Sequence, residues 1–175
     1  QGTMTAFDQA FALSPGNMAN VDFGHFVAGG NVGGTPMQFL ETHGQLTILN
    51  QELTFFRLIH LEGTHPAEFE PSFLGHSVGH WEGDTLVVDT VGLTDRTTVD
   101  NIGVPHSDQL HVVEKFRRVD QNTIEILVIV EDPKTFTKPY MMRTHFKRAP
   151  QPSLVEYFCE NNRNLPDAEG RISMK

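Results

Sequence analysis

From Met37 onward, most of the chain alternates between apolar and polar residues with the two-residue period of a β-strand. The clearest case is the stretch GHSVGHWEGDTLVVDT, in which two alternating runs flank the turn residues Gly83 and Asp84. Similar runs predict strands at 37–43, 45–52, 55–62, 73–82, 85–93, 109–119, 123–132, 139–148 and 153–160. Between them, no segment has the length and period of a crossover helix, so consecutive strands are expected to pair antiparallel.

A sheet with this many strands is expected to close on itself, because long open edges invite aggregation. We therefore predict an all-β protein, an antiparallel up-and-down barrel of lipocalin-like or calycin-like character with about eight to ten strands. The barrel would span residues 37–161. Residues 1–36 have a short helical pattern at 5–13 and are expected to form an irregular arm, which begins with a pair, Gln1 and Gly2, that resembles a cleaved tag. Residues 162–175 are expected to form a polar tail.

Composition indicates a globular domain and excludes several classes of partner. With 175 residues, 38% of them hydrophobic and 20% charged, the chain is long enough for one packed core. A formal net charge of −9, with scattered basic residues, argues against nucleic acid as a partner. The chain has no apolar run of the roughly 18 residues that a membrane span needs. Cys159 is the single cysteine, so an intrachain disulfide is excluded.

Two carboxylates occur where the strand pattern is otherwise apolar. Glu114 shares its predicted face with Val112 and Phe116. Burial there would raise its pKa and make it a candidate general acid or base, whereas an ion pair, for example with Arg57, would give it a structural role. Asp89 lies among valines and is open to two interpretations: it could orient a histidine, or it could hydrogen-bond the backbone of a neighbouring loop.

Histidines supply further candidates for acid–base or metal chemistry. His76 and His80 share one face of a predicted strand. His106 lies just before another strand, where an imidazole could act as an acid or base near neutral pH. His76 and His80 could also bind a metal ion with a third ligand from His106, Asp89 or Asp100. The other histidines are expected to be surface or turn residues: His25, His43, His60, His65, His111 and His145.

Motifs of the common cofactor sites are missing, since the chain has no GxGxxG, GxxxxGK[ST], GxSxG or CxxC. We therefore predict no cofactor. The primary hypothesis is an enzyme of the lyase or isomerase type that moves protons on a small, largely apolar or aromatic molecule bound inside the barrel. Its alternatives are a lipocalin-like carrier of a hydrophobic molecule and a histidine-based metal enzyme. Exposed phenylalanines also leave a homodimer open.

The acid–base hypothesis gives each candidate residue a role. The base would be Glu114 or Asp89, and its partner acid His106 or His76. Negative charge developing on oxygen would be stabilised by Arg57 or Tyr140. The remaining substrate-binding candidates are Trp81, Phe116 and His80.

Four motifs that occur in order give the chain a resemblance to a known family: GHSVGHWEGDTLVVDT, PHSDQLHVVEKFRR, EDPKTFTKP and LVEYFCENN. Over residues 37–161 it resembles a widespread family of small, often exported bacterial proteins. Members often have Gly-Arg-Trp at the position of residues 79–81 and Asp-Gly-Arg at the position of residues 62–64. The resemblance implies export to the periplasm and implies no particular activity. It also makes His80, which replaces the family's arginine, a peculiarity of this chain.

Overall fold

A computed structural model describes residues 11–13, 37–50, 56–99 and 103–148. All the regular secondary structure in these ranges is β-strand, which confirms the all-β prediction. The strands are β1 (Phe11–Leu13), β2 (Met37–Thr42), β3 (Gln45–Asn50), β4 (Phe56–His60), β5 (His76–Glu82), β6 (Thr85–Val91), β7 (His111–Asp120), β8 (Thr123–Glu131) and β9 (Tyr140–Arg148). Within the same ranges, no helix has the length and apolarity that a membrane crossing requires.

The strands form one curled sheet of the barrel type. From β2 to β9 each strand pairs with the next in chain order, and short β1 pairs with both β2 and β9 and so joins the two edges. The strands predicted between residues 37 and 148 are all present, and their ends differ from the prediction by at most three residues. The strand predicted at 153–160 lies outside the described residues.

The helical pattern at 5–13 is wrong for its last residues. Phe11–Leu13 is extended and pairs with β9 over three positions. The backbone groups of so short a segment gain hydrogen bonds at the edge of the sheet, and such tertiary contacts override a weak local preference.

Tight hairpins connect several neighbouring strands, as the turn residues predict. The β2–β3 turn contains Gly44 at φ 71°, and the β5–β6 turn contains Gly83 at φ 64°. Both are left-handed conformations that glycine adopts without the steric cost paid by other residues. These turns fix the register of their hairpins, and thereby which side chains point into the core.

One pairing departs from the predicted antiparallel order, because β4 and β5 run parallel. The connection between them, residues 61–75, is long enough to carry the chain back along the outside of the sheet before β5 begins. Ser72 in this connection forms a bridge with Leu93, beyond the end of β6. The prediction was wrong here because a long loop leaves strand direction open, whereas a hairpin does not.

The core fills the inner face of the sheet. Buried and partly exposed residues alternate along β7 and β8, and Phe39 meets Phe116 edge to face with 6.0 Å between ring centroids. Fully buried apolar side chains on this face include Met37, Leu46, Ile48, Ile59, Leu86, Val88, Val112, Ile124, Val128 and Val130.

Candidate functional site

Two groups of polar and ionisable side chains lie on opposite faces of β5, β6 and β7. We call them the inner cluster, formed by Arg57, Ser77, Thr90 and Glu114, and the outer cluster, formed by His60, His65, His76, Asp89, His111 and Glu131. Their separation follows from strand geometry, since consecutive side chains point to opposite faces. His76 and Asp89 face outward, whereas their neighbours Ser77 and Thr90 face the core.

The inner cluster is centred on the guanidinium of Arg57. Its Nη2 lies 2.5 Å from Oε2 of Glu114 and donates a hydrogen bond of 2.8 Å to Oγ1 of Thr90. Its Nε donates to Oγ of Ser77 at 3.2 Å. Arg57 and Glu114 are both 0% exposed. The inner cluster therefore links β4, β5, β6 and β7 from inside the barrel.

Burial raises the pKa of the Glu114 carboxyl. Loss of solvation raises the pKa of this carboxyl, while the charge and hydrogen bond of Arg57 act in the opposite direction. Glu114 therefore forms the ion pair with Arg57 that the sequence analysis gave as the structural alternative for this residue.

Several polar atoms of this region are buried without a hydrogen-bond partner in the described part of the chain. They include Nη1 of Arg57, Oε1 of Glu114 and both side-chain polar atoms of Asn50. Arg57 and Glu114 meet through a single oxygen–nitrogen contact instead of two parallel ones, which leaves the second nitrogen and second oxygen open.

The outer cluster is centred on the carboxylate of Asp89. Oδ1 accepts a hydrogen bond from Nε2 of His65 at 2.9 Å, and Oδ2 accepts one from Nε2 of His111, also at 2.9 Å. Nδ1 of His111 lies 3.3 Å from Oε2 of Glu131. The side-chain exposures of these four residues run from 24% for His65 to 46% for Glu131, so solvent reaches them.

His65 also joins Asp89 to His76. Nδ1 of His65 and Nδ1 of His76 are 2.8 Å apart, which is a hydrogen-bond distance. The His76 ring stacks on His60 with 4.8 Å between centroids and lies near-parallel to Phe69 at 6.5 Å. Burial lowers the pKa of His76, and repulsion from His60 and His65 lowers it further. His76 is therefore neutral at neutral pH.

His111 has the opposite electrostatic setting. Burial alone would lower the pKa of His111, but hydrogen bonds to Asp89 and Glu131, with the charges of both carboxylates, outweigh burial and raise it. Both ring nitrogens face a carboxylate, which suits the doubly protonated cation. One cluster thus contains a histidine biased toward the neutral form and another biased toward the cation.

The connection 61–75 brings His65 to this site. It is held before Phe69 by the His65–Asp89 hydrogen bond and after Phe69 by the backbone of Ser72. The ring of Phe69 lies directly over Gly92, so closely that a Cβ atom there would overlap it. Ser72 N–H donates to the carbonyl of Gly92 at 2.9 Å, and Thr94 N–H donates to the carbonyl of Ser72 at 2.9 Å. The absence of a side chain at Gly92 is what allows Phe69 to pack there.

The candidate catalytic residues are divided between separate places. Asp89 and His76 meet through His65 in the outer cluster, and Glu114 lies behind them in the inner cluster. His106 is only 7% exposed. Its Nε2 lies 2.7 Å from Oγ1 of Thr97, so its hydrogen bond ties two parts of one loop together.

The candidate binding residues are equally dispersed. Arg57 belongs to the inner cluster, Phe116 is buried in the core, and Trp81 packs partly against the core. His80 is 59% exposed and lies 3.3 Å from Glu82. Tyr140 is 44% exposed at the start of β9. The structure therefore does not gather these five residues into one pocket.

The metal-ligand set proposed from sequence is likewise not assembled. His76 and His106 have the separate partners described above, and Asp100 lies outside the described residues. Among residues 11–13, 37–50, 56–99 and 103–148, no group of three or more His, Cys, Asp or Glu side chains could hold a metal ion.

The sequence missed four residues of the outer cluster: His60, His65, His111 and Glu131. For His65 a signal existed, because it lies in a long, proline-containing connection of the kind that often carries function. For His111 the signal depends on register: Asp89 pairs with Val113, which makes His111 a diagonal neighbour on the same face.

Comparison of the chain with protein-family profiles, with curated proteins and with solved structures found no match. Its function is therefore inferred from the side chains of the two clusters.

Proposed function

We propose that the protein is a cofactor-free acid–base enzyme whose active site is the outer cluster, with His76 as the residue that exchanges a proton with substrate. One observation supports this above all: a continuous hydrogen-bonded line runs from Asp89 through His65 to His76 on an accessible face. The sequence analysis predicted acid–base chemistry inside the barrel. The present proposal places it on the outer face of the sheet instead.

The hydrogen bonds define where the protons reside at rest. The Asp89 carboxylate accepts the proton on Nε2 of His65, so a neutral His65 has a free lone pair on Nδ1. Nδ1 of His76 then donates to that lone pair, and Nε2 of His76 becomes an acceptor. Within the described ranges Nε2 of His76 has no hydrogen-bond partner. A substrate proton can be taken up at this atom.

Proton uptake by His76 would be stabilised along the line. When Nε2 accepts a proton, the proton on Nδ1 moves to Nδ1 of His65, and the resulting imidazolium of His65 is held against Asp89. His65 and Asp89 act as positioning residues, because they orient His76 and stabilise its charge without touching substrate. His111 holds the second oxygen of Asp89 and so fixes the orientation of the carboxylate.

An apolar wall beside His76 favours a small aromatic or apolar substrate. Phe69 is 40% exposed and near-parallel to the His76 ring. A substrate ring stacked here would present an acidic C–H to His76. The base removes that proton, the electron pair forms a double bond, and either a leaving group departs or the proton returns at another carbon. These are the elimination and isomerisation reactions.

A generic probe tests this proposal without knowledge of the natural substrate. 5-Nitrobenzisoxazole is a compact aromatic molecule whose ring opens when a positioned base removes one C–H proton, and the coloured phenolate product reports the rate. We expect His76→Gln to lower the protein-dependent rate by about 100-fold or more, the range of general-base contributions. His80→Gln is the matched control, since His80 lies on the same face of the same strand outside the cluster.

The pH dependence adds a second readout. Because the pKa of His76 is lowered, the rate should persist below pH 6.5 and decline only as His76 gains a proton. Equal rates for the His76→Gln and His80→Gln variants, or a wild-type rate no higher than that of His76→Gln, would remove His76 from the role proposed.

A further inference from the structure

We infer that the inner cluster forms a second, separate site, which binds an uncharged aromatic molecule through a group that both donates and accepts hydrogen bonds, such as a primary amide. The inference is independent of the proposed function, because it concerns the opposite face of the sheet.

The first argument is the set of polar atoms left without partners. Nη1 of Arg57, Oε1 of Glu114 and the amide of Asn50 are buried and have no hydrogen-bond partner in the described part of the chain. Arg57 and Glu114 are 0% exposed, and Asn50 is 4% exposed. Buried polar groups in folded proteins are nearly always paired, so atoms of this kind indicate a missing partner.

The second argument is the chemistry of those atoms. Nη1 of Arg57 offers only donors and therefore needs an acceptor. Oε1 of Glu114 can accept a hydrogen bond from a donor, and the amide of Asn50 can pair with either a donor or an acceptor. A ligand that presents a carbonyl and an N–H or O–H would satisfy Arg57 and Glu114. Asn50 lies on the same buried face of β3, two residues beyond Ile48, the partner of Arg57 on β4. Within the pair, the charges of Arg57 and Glu114 cancel, so an uncharged ligand is preferred over a carboxylate.

The third argument is the apolar surroundings. Glu114 lies between Val88 and Val128 in the pairing of β6, β7 and β8. Phe116 follows on the same face of β7 and meets Phe39 edge to face. An aromatic ring is the natural body for a ligand whose polar group reaches Arg57, and small barrels of this kind can hold one small molecule.

Three probes of matched size test the inference in the wild-type protein: benzamide, benzoate and toluene. Binding is measured by isothermal titration calorimetry and by perturbation of the NMR signal of the Arg57 Nε–H group. We expect benzamide to bind about tenfold more tightly than either benzoate or toluene, a difference that separates hydrogen bonding from ring burial and from charge.

Two variants locate the site. Asn50→Leu should weaken benzamide binding by about tenfold while leaving toluene unchanged, because it removes one hydrogen-bonding group from the site. Gln38→Leu makes the same amide-to-apolar change on the outward face of β2 and should alter neither. If Asn50→Leu fails to fold, the comparison of the three probes in wild-type protein still decides the question.

The inference fails if benzamide binds no better than toluene, or if benzoate binds best. It also fails if soaked crystals contain only ordered water at Nη1 of Arg57 and Oε1 of Glu114. Neither result bears on the 5-nitrobenzisoxazole assay, which reports the outer cluster alone.

Discussion

The inner and outer clusters use the same strands and similar charged groups, and solvent makes the difference between them. Arg57 and Glu114 are fully buried, and together with Ser77 and Thr90 they link four strands from inside the barrel. Asp89 is 38% exposed, and its partners His65 and His111 are also partly exposed to solvent. One sheet thus carries a rigid ion pair on one face and a titratable network on the other.

The comparison also explains why burial alone is a poor guide to a catalytic residue. Glu114 has a raised pKa, as a general acid often does, yet it is fully buried and paired with Arg57. His76 is only partly buried and has an open ring nitrogen. Access to substrate therefore favours the outer cluster for proton transfer, and unsatisfied hydrogen bonds favour the inner cluster for binding.

The largest expected effect is on stability, from breaking the inner pair. Arg57→Met leaves the Glu114 carboxylate buried without its partner and should lower the free energy of unfolding by about 3–5 kcal/mol. The double variant Arg57→Met/Glu114→Leu removes both charges and should recover part of that loss. Urea unfolding followed by circular dichroism measures both.

The matched control for this prediction is an ion pair on the surface. Arg117 lies 3.2 Å from Glu125 and is 49% exposed, so Arg117→Met should cost only about 0–1 kcal/mol. A similar loss for Arg57→Met and Arg117→Met would mean that the inner pair contributes no more than a surface contact, and the distinction between the two clusters would not hold.

The second prediction separates the clusters by disturbing only the outer one. Gly92→Ala places a side chain at φ 71°, which costs about 1–2 kcal/mol, and its Cβ would overlap the Phe69 ring. Phe69 has room to swing outward, so overpacking should add about 1 kcal/mol, the low end of its usual range. The displaced ring no longer packs beside His76, and the rate with 5-nitrobenzisoxazole should fall.

Gly83→Ala is the control for this change. Gly83 has φ 64°, and a Cβ atom added there would have no neighbouring atom within 4 Å, so the variant should show the backbone cost alone and keep the wild-type rate. If Gly92→Ala unfolded at the same urea concentration as Gly83→Ala and retained full activity, the packing of Phe69 would have no influence on the outer cluster.

Strand alternation and turn chemistry made much of this arrangement predictable. The hairpin turn at Gly83 and Asp84 fixes the register of β5 and β6, so the sequence correctly placed His76 and His80 on one face of β5. It expected His76 and Asp89 to act inside the barrel, whereas both lie on the outer face. The period of β7 placed Glu114 among apolar residues, where a buried carboxylate needs a basic partner such as Arg57. These predictions depended mainly on contacts between neighbours in a strand or hairpin.

Contacts across long connections could not be predicted in the same way. Residues 61–75 return the chain for a parallel strand and bring His65 to Asp89, and nothing local in their sequence specifies that path. A second long connection separates β6 from β7, so the diagonal placement of His111 beside Asp89 depended on a register that no turn fixes. The outer cluster therefore became visible only in three dimensions.

The smallest expected effect is a pair of opposite pH dependences within the outer cluster. The pKa of His76 in the folded protein lies below 6.5, so its contribution to stability is complete above that pH and is lost as the pH falls through the folded pKa. The pKa of His111 is raised, so its contribution is complete below pH 6.5 and is lost as the pH rises through the folded pKa. Both groups are partly exposed, and solvent screening reduces each effect.

Two variants distinguish these contributions in a series of urea unfolding curves at pH values on both sides of 6.5. His76→Gln should flatten the loss of stability toward acid, and His111→Gln should flatten the loss toward alkali. Identical profiles for the first two variants would mean that the two histidines titrate alike. The outer cluster would then lack the internal asymmetry that biases His76 toward the neutral form and His111 toward the cation.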